Sequence, residues 1–93
     1  MLVKDIIPKW MEYKRPYVKE STFAAYTLSI KNGILPVFGE CDDLTEDIIQ
    51  EYILDRIKEG LAKRTIQGYL MVLKMIMKFA SGKGWMQYHD WKA

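Results

Sequence analysis

Apolar residues recur along this chain at spacings of three and four, and in four stretches they line up as one face of a helix. The first stretch spans 2–15, where Ile6, Ile7, Trp10, Met11 and Tyr13 form the stripe. Pro8 falls within its first turns, where a missing N–H is tolerated, and Pro16 ends it. The second begins near Ser21, a good N-cap, and runs to 34 with Phe23, Tyr26, Ile30 and Ile34 on one face. Asn32-Gly33 frays its end. An apolar connector, 34–39, follows; Pro36 stops the helix there and Gly39 permits a turn. The third starts after Thr45, an N-cap, with Glu46 and Asp47 at the positive end of the helix. Ile48, Ile49, Tyr52, Ile53 and Ile57 make its buried stripe; Asp47, Glu51, Asp55 and Glu59 lie opposite, and Gly60 closes it. The fourth spans 62–81, with Ile66, Leu70, Leu73, Ile76 or Met77, and Ala80 turned inward and Gly82 and Gly84 at its end. A short tail carries Trp85, Tyr88 and Trp91. No segment alternates like a strand, so the pattern predicts an all-α fold, a compact four- to five-helix bundle.

Length and composition narrow the chemistry. Ninety-three residues give one domain, which buries roughly 60–65% of its unfolded surface and leaves little for a deep enzyme cleft. The single Cys41 excludes an intrachain disulfide and a multi-cysteine metal site. His89 is the only imidazole, so neither a histidine metal site nor a Ser-His-Asp triad has its parts, and no cofactor or metal is expected. No apolar run approaches the roughly 20 residues that span a bilayer, and the first residues lack a signal-peptide core. A reducing cytoplasm is the expected compartment. Cys41 and His89 read as structural or incidental.

Charge changes the picture more. The formal net charge is only +2, with 28% of residues charged. Residues 40–60 hold two basic against eight acidic groups, −6, while 61–93 hold six against one, +5. Residues 1–20 carry +2 and 21–39 carry Lys31 alone. The near-neutral total thus hides one acidic segment among basic ones. A basic face is an electrostatic footprint for phosphate; a set of solvated helix faces is the plainer explanation.

The order of the segments resembles a known family. Val18-Lys19-Glu20-Ser21-Thr22-Phe23-Ala24-Ala25-Tyr26 is similar to the V-K-x-S-T-x-x-x-Y opening of the second helix in tyrosine recombinases. Ile34-Leu35-Pro36-Val37-Phe38-Gly39 is similar to that family's I-L-P-x-F-G connector, and the stretch from Leu44 to Tyr52 to its L-T-x-x-D-I third helix. Gly60-Leu61, Thr65-Ile66, Leu70, Leu73-Lys74 and Ala80 match its fourth helix. Together these pieces cover about 1–86 and resemble the core-binding, SAM-like N-terminal domain of phage and conjugative-transposon integrases. The resemblance implies a SAM-like bundle over 1–86, with 87–93 as the start of a linker to a C-terminal catalytic domain. In that family the two domains form a clamp around duplex DNA at the recombination core site, and the second and fourth helices face the major groove. The catalytic residues belong to the other domain; none of the six tyrosines here sits in an Arg/His setting of that kind. The chain is therefore expected to be a non-catalytic fragment. One departure stands out: Ala62 occupies the place of the family's capping Ser, so that Thr65 or a bound phosphate would have to serve the helix start.

Candidate DNA contacts follow from that placement. Lys63, Arg64 and Thr65 open the fourth helix beside its positive end, and Arg can grip guanine bidentately. Gln67 could read adenine, Lys74 positions by holding a phosphate, and Met71 lies beside them. Gly68 interrupts the helix either for close approach to DNA or for tight packing against another helix. Lys19, Ser21, Thr22, Ala25, Ser29 and Lys31 are the candidates on the second helix, while Tyr26 reads as core. Trp10, Phe38, Phe79 and most of the methionines read as core as well. The expected partners are double-stranded DNA, the catalytic domain of the same parent chain and other recombinase protomers on DNA, with no membrane; when bound, the protein would be associated with a prokaryotic nucleoid. The alternative is a helical protein–protein interaction module, whose interface would be the exposed Met and Trp residues and the acidic stripe.

Overall fold

Helix α1 (Val3–Lys14) buries Val3, Ile6, Ile7 and Trp10; of the stripe read from its spacing, Met11 is only half-buried and Tyr13 is exposed. The structure, a computed structural model, describes residues 1–88; Trp91 and His89 lie outside them. No side chain caps α1. Its first turn instead uses the loop at 39–41: Val3 N–H donates to the Cys41 carbonyl at 2.9 Å and Lys4 N–H to that of Gly39 at 3.0 Å. Two of the four orphan donors of a helix start are satisfied this way. Pro8 sits on the solvent side of the second turn without ending the helix, and a short 3₁₀ turn (Arg15–Tyr17) around Pro16 closes it.

Helix α2 (Glu20–Ser29) starts one residue before Ser21, with Lys19 in the cap position and no side-chain cap. The largest departure from expectation comes at its end. Residues 34–39 are not a connector, and Pro36 does not stop the helix. A π turn (Ile30–Ile34) continues α2 directly into α3 (Leu35–Phe38). Leu35 N–H reaches back five residues to the Ile30 carbonyl. The wider turn resets the hydrogen-bond ladder, so Pro36 falls in the first turn of α3, where its missing N–H would have no partner anyway. Asn32-Gly33 does not fray. Gly33 is buried, and a Cβ there would overlap the ring of Tyr69.

Helix α4 (Glu46–Lys58) is capped as its sequence predicts: Ile48 N–H donates to Thr45 Oγ1 at 3.4 Å. Its C-terminus closes through Gly60 at φ +91°, with Gly60 N–H on the Ile57 carbonyl and Leu61 N–H on that of Arg56. Helix α5 (Lys63–Gly82) ends the same way at Gly84, φ +74°. It supplies the longest run of the core: Ile66, Leu70, Val72, Leu73, Ile76, Met77 and Ala80 are all buried. Around it pack the buried faces of α1, the π turn, Phe38, Leu44, Ile49 and Tyr52, and Met86 covers one end. Ile57, placed by periodicity in the buried stripe of α4, is instead 42% exposed, and Ile48 and Ile53 are only half-buried. The C-terminal half of α4 stands off α5 and leaves a groove between them.

The architecture is thus all-α, with no strand among the described residues and no polar or charged residue among their buried ones. No helix among them is long and apolar enough to cross a membrane.

Candidate nucleic-acid interface

Helix α5 is strongly two-sided, and what it does not bury is a continuous outer stripe. Lys63, Arg64, Thr65, Gln67 and Met71 are exposed; Gly68 and Lys74 lie half-buried at its edge. The spacings 63/64, 67/68, 71, 74 and 78 keep these positions on one side of the helix over four turns. Lys78 is exposed and extends the stripe, its Nζ 5.8 Å from the Tyr88 ring centroid. Met71 is 59% exposed, the most exposed large apolar side chain of α5.

The start of α5 is electrically unusual. Ala62 takes the extended cap conformation (φ −67°, ψ 144°) but has no side chain able to accept a hydrogen bond. Thr65 lies within the first turn rather than at the cap, so it does not substitute. The first turn contains no acidic residue and two basic ones, Lys63 and Arg64. Cations at a helix N-terminus oppose the dipole by about 0.3–1 kcal/mol each. An anion placed there would reverse that penalty.

Gly68 decides between two explanations of its presence. A Cβ at Gly68 would meet nothing within 4 Å. Packing against another helix therefore does not require glycine here, unlike at Gly33. The open space lies outside the bundle.

Helix α2 presents a different surface. Lys19, Ser21, Ala25 and Lys31 are exposed, as a DNA-facing role requires, whereas Thr22 and Ser29 are half-buried at the flanks. The exposed row also includes Ala24, Leu28 and Asn32, which are not among the candidates above. Leu28 is 58% exposed. Its signal was in the sequence: with Ser21, Ala24, Ala25 and Asn32 it completes one helical face opposite Phe23, Tyr26 and Ile30. Tyr26 is half-buried and packs against Trp10, the two rings tilted at 51° with centroids 5.7 Å apart, the core role expected for it. Helix α2 and the π turn both pack on α5, so the two helices that carry the candidates are neighbours.

The junction between them is held from below by α4. Tyr52 is buried, and its hydroxyl donates to the Gly33 carbonyl at 2.7 Å. Its ring lies 4.6 Å from that of Phe38, and the Arg56 guanidinium sits 5.2 Å from its centroid. Burial pushes the Tyr52 hydroxyl up to about 12, against a smaller opposing pull from Arg56. It stays protonated and donating throughout the neutral range. The acidic residues Asp47, Glu51, Asp55 and Glu59 are all exposed on α4, and Arg56 pairs with Glu59 at 3.0 Å. No group of three or more His, Cys, Asp or Glu among the described residues could hold a metal ion.

Comparison with known proteins gives one match. The family model of the phage integrase N-terminal SAM-like domain fits residues 2–55. That span takes in α1, α2, the π turn, α3 and most of α4, and it stops before α5. A catalytic domain is not matched. No curated protein and no solved structure matches the chain.

Proposed function

Because this chain belongs to the phage integrase N-terminal SAM-like domain family, we propose that it is a DNA-binding unit of a tyrosine recombinase, gripping duplex DNA at the recombination core site as half of a clamp. The family match carries this reading, and the surface of α5 supports it. An uncapped, doubly basic helix start, a stripe of Lys63, Arg64, Gln67 and Met71, and open space over Gly68 suit close approach to a phosphate backbone. In this reading α2 contributes a row of small side chains with Leu28 at its centre, a surface that a helix can bring close to base edges. Acidic α4 faces away from DNA. Thr22 and Ser29 take flanking places, and Lys19 and Lys31 hold phosphates.

In this reading the unit spans 1–86; among the described residues Met86 is the last fully buried one, and Tyr88 still packs against the core. The remainder leads to a catalytic domain, which supplies the other half of the clamp and the chemistry. This unit positions DNA and cuts nothing. Alone it binds weakly, because the effective concentration conferred by its tethered partner is missing.

Fluorescence anisotropy against random-sequence duplexes, repeated over a salt series, tests the reading. The expected outcome is binding at low salt that falls steeply as salt rises, with a log–log slope of about −0.9 for each phosphate neutralised. Absence of binding at low salt would overturn it. Selection from a randomised duplex pool would then reveal the preferred site.

A further inference from the structure

Helix α1 packs on the C-terminal half of α5, and four aromatic rings meet along that seam. Tyr17 lies 5.6 Å from Tyr13 between ring centroids, Tyr13 4.8 Å from Phe79, and Phe79 5.6 Å from Trp85. The 3₁₀ turn around Pro16 continues the winding of α1, which sets Tyr17 one turn beyond Tyr13 on the same side. Exposure grows along the row. Trp85 and Phe79 are half-buried, Tyr13 is 51% exposed and Tyr17 73%. Singly exposed apolar residues need no explanation, but a connected row of rings that opens to solvent does.

The rim of this ledge is basic. Lys9 Nζ lies 5.8 Å from the Trp85 centroid and Lys83 Nζ 5.8 Å from that of Phe79, and both side chains are exposed. Residues 74–88 hold three lysines and no acidic residue. On α1, Glu12 points away from the ledge: it lines a separate groove with Met11, Arg15, Pro16 and Phe23. Asp5, one turn before Lys9, is the acidic neighbour on the ledge side of α1.

We propose that this ledge binds single-stranded nucleic acid, its rings stacking unpaired bases and its lysines holding the phosphates. An unpaired base offers an open π-face to Tyr17 and Tyr13, whereas the bases of a duplex already stack on one another, so the row selects unpaired strands. Lys9 and Lys83 stand over the two inner rings, within reach of a backbone whose bases lie on the two outer ones. Recognition of this kind tolerates any sequence, because every base has a π-face. None of the four rings belongs to the α2–α5 surface proposed for duplex DNA, and the inference does not rest on that reading.

Fluorescence anisotropy with a labelled oligothymidylate of about twelve residues tests it. The oligomer should bind at low salt, with a log–log salt slope of about −0.7 for each phosphate neutralised. Tyr13→Ala with Tyr17→Ala should weaken binding about fivefold or more, while Tyr13→Phe with Tyr17→Phe, which keeps both rings, should change it less than about twofold. Tyr17→Ala alone, at the most exposed ring, should give a smaller loss in the same direction, and thermal melts verify that each variant is folded. Duplex binding by the double alanine variant should stay within about twofold of wild type. No binding of the oligomer at low salt overturns the proposal. So does equal affinity for an abasic strand of the same length, which would mean phosphate contacts alone. A strand lost with Arg64→Ala but not with the tyrosine variants would lie on α5, and an equal loss of duplex binding would merge the ledge with the duplex face; either result overturns it. Competition by polyglutamate as strong as by the oligomer would assign the ledge to an acidic protein segment, with the same consequence.

Discussion

Helices α5 and α2 lie side by side and are assigned the same task, yet their places in the fold have different origins. Helix α5 has twenty residues and buries seven of them, so its orientation follows from its own amphipathic pattern. Helix α2 has ten residues and buries none completely. It is held at its far end, where the π turn presses Gly33 against Tyr69 of α5 and Tyr52 of α4 donates into the Gly33 carbonyl. One helix is placed by its face, the other by its anchor. The pose of α2 should therefore be sensitive to changes at a few buried atoms, and that of α5 should not.

The largest expected effect tests the anchor. Gly33→Ala forces a methyl into the root of the Tyr69 ring, so the buried turn or the half-buried ring must shift. Overpacking of this kind costs about 1–3 kcal/mol. Chemical denaturation should show that loss, and Tyr69→Ala made together with Gly33→Ala should recover part of it. Full additivity of the two changes would mean that the contact does not hold α2.

Next in size is the change at Arg64. If it reads a base edge from the first turn of α5, Arg64→Ala should relax discrimination at one position of the selected site by about 1–3 kcal/mol. Lys74→Ala, removing a phosphate contact, should weaken all duplexes alike and reduce the salt slope by about 0.9. Competition anisotropy with single-base variants of the site separates the two. Identical behaviour would show that the stripe on α5 holds phosphates only.

The Tyr52 hydroxyl offers a smaller effect with a pH signature. Tyr52→Phe leaves the Gly33 carbonyl without its donor, a loss of about 1–1.5 kcal/mol at neutral pH. Burial raises the folded-state pKa from 10.0 to about 12. Between those values the unfolded chain gives up this proton and the folded chain keeps it, so the contribution is fully present below pH 10 and is lost as pH rises toward 12. Denaturation midpoints of wild type and Tyr52→Phe should converge across that window. A constant difference would mean that the hydroxyl does not titrate with folding.

The same contrast explains what could be read from the sequence. Helix α5 was legible because Ile66, Leu70, Leu73 and Ala80 repeat with the helical period and stay in register for about four turns. The cap at Thr45 and the stop at Gly60 were legible because each is local chemistry. The continuation of α2 was not. Its π turn adds a residue to one turn of helix, which shifts the register between Tyr26 and Phe38 and makes Pro36 resemble a terminator when it is a first-turn residue. Ile57 was misplaced for another reason: periodicity identifies the apolar side of α4 but not how far along it α5 extends to cover it. At the candidate site, the basic start of α5 was legible as charge. Leu28 is easily passed over, because a leucine on a helix that buries no residue completely looks like core; only its place on one face with Ser21, Ala24, Ala25 and Asn32 marks it as exposed.

Gly68 gives the finest test, because stability and binding should move in opposite directions there. Glycine in a helix interior is less stable than alanine by up to about 1 kcal/mol, and a methyl at Gly68 meets no atom of the bundle within 4 Å. Gly68→Ala should therefore raise the midpoint of thermal unfolding. If the space over Gly68 is where α5 meets a DNA backbone, the same methyl intrudes on that approach and binding weakens. Arg64 and Gln67, its neighbours on the stripe, are the residues whose reach would suffer. Anisotropy and thermal melts on one preparation read both quantities. A variant that is more stable and binds equally well would show that DNA does not approach α5 at its second turn, and the contact would then have to rest on Lys63 and Arg64 at the helix start and on α2.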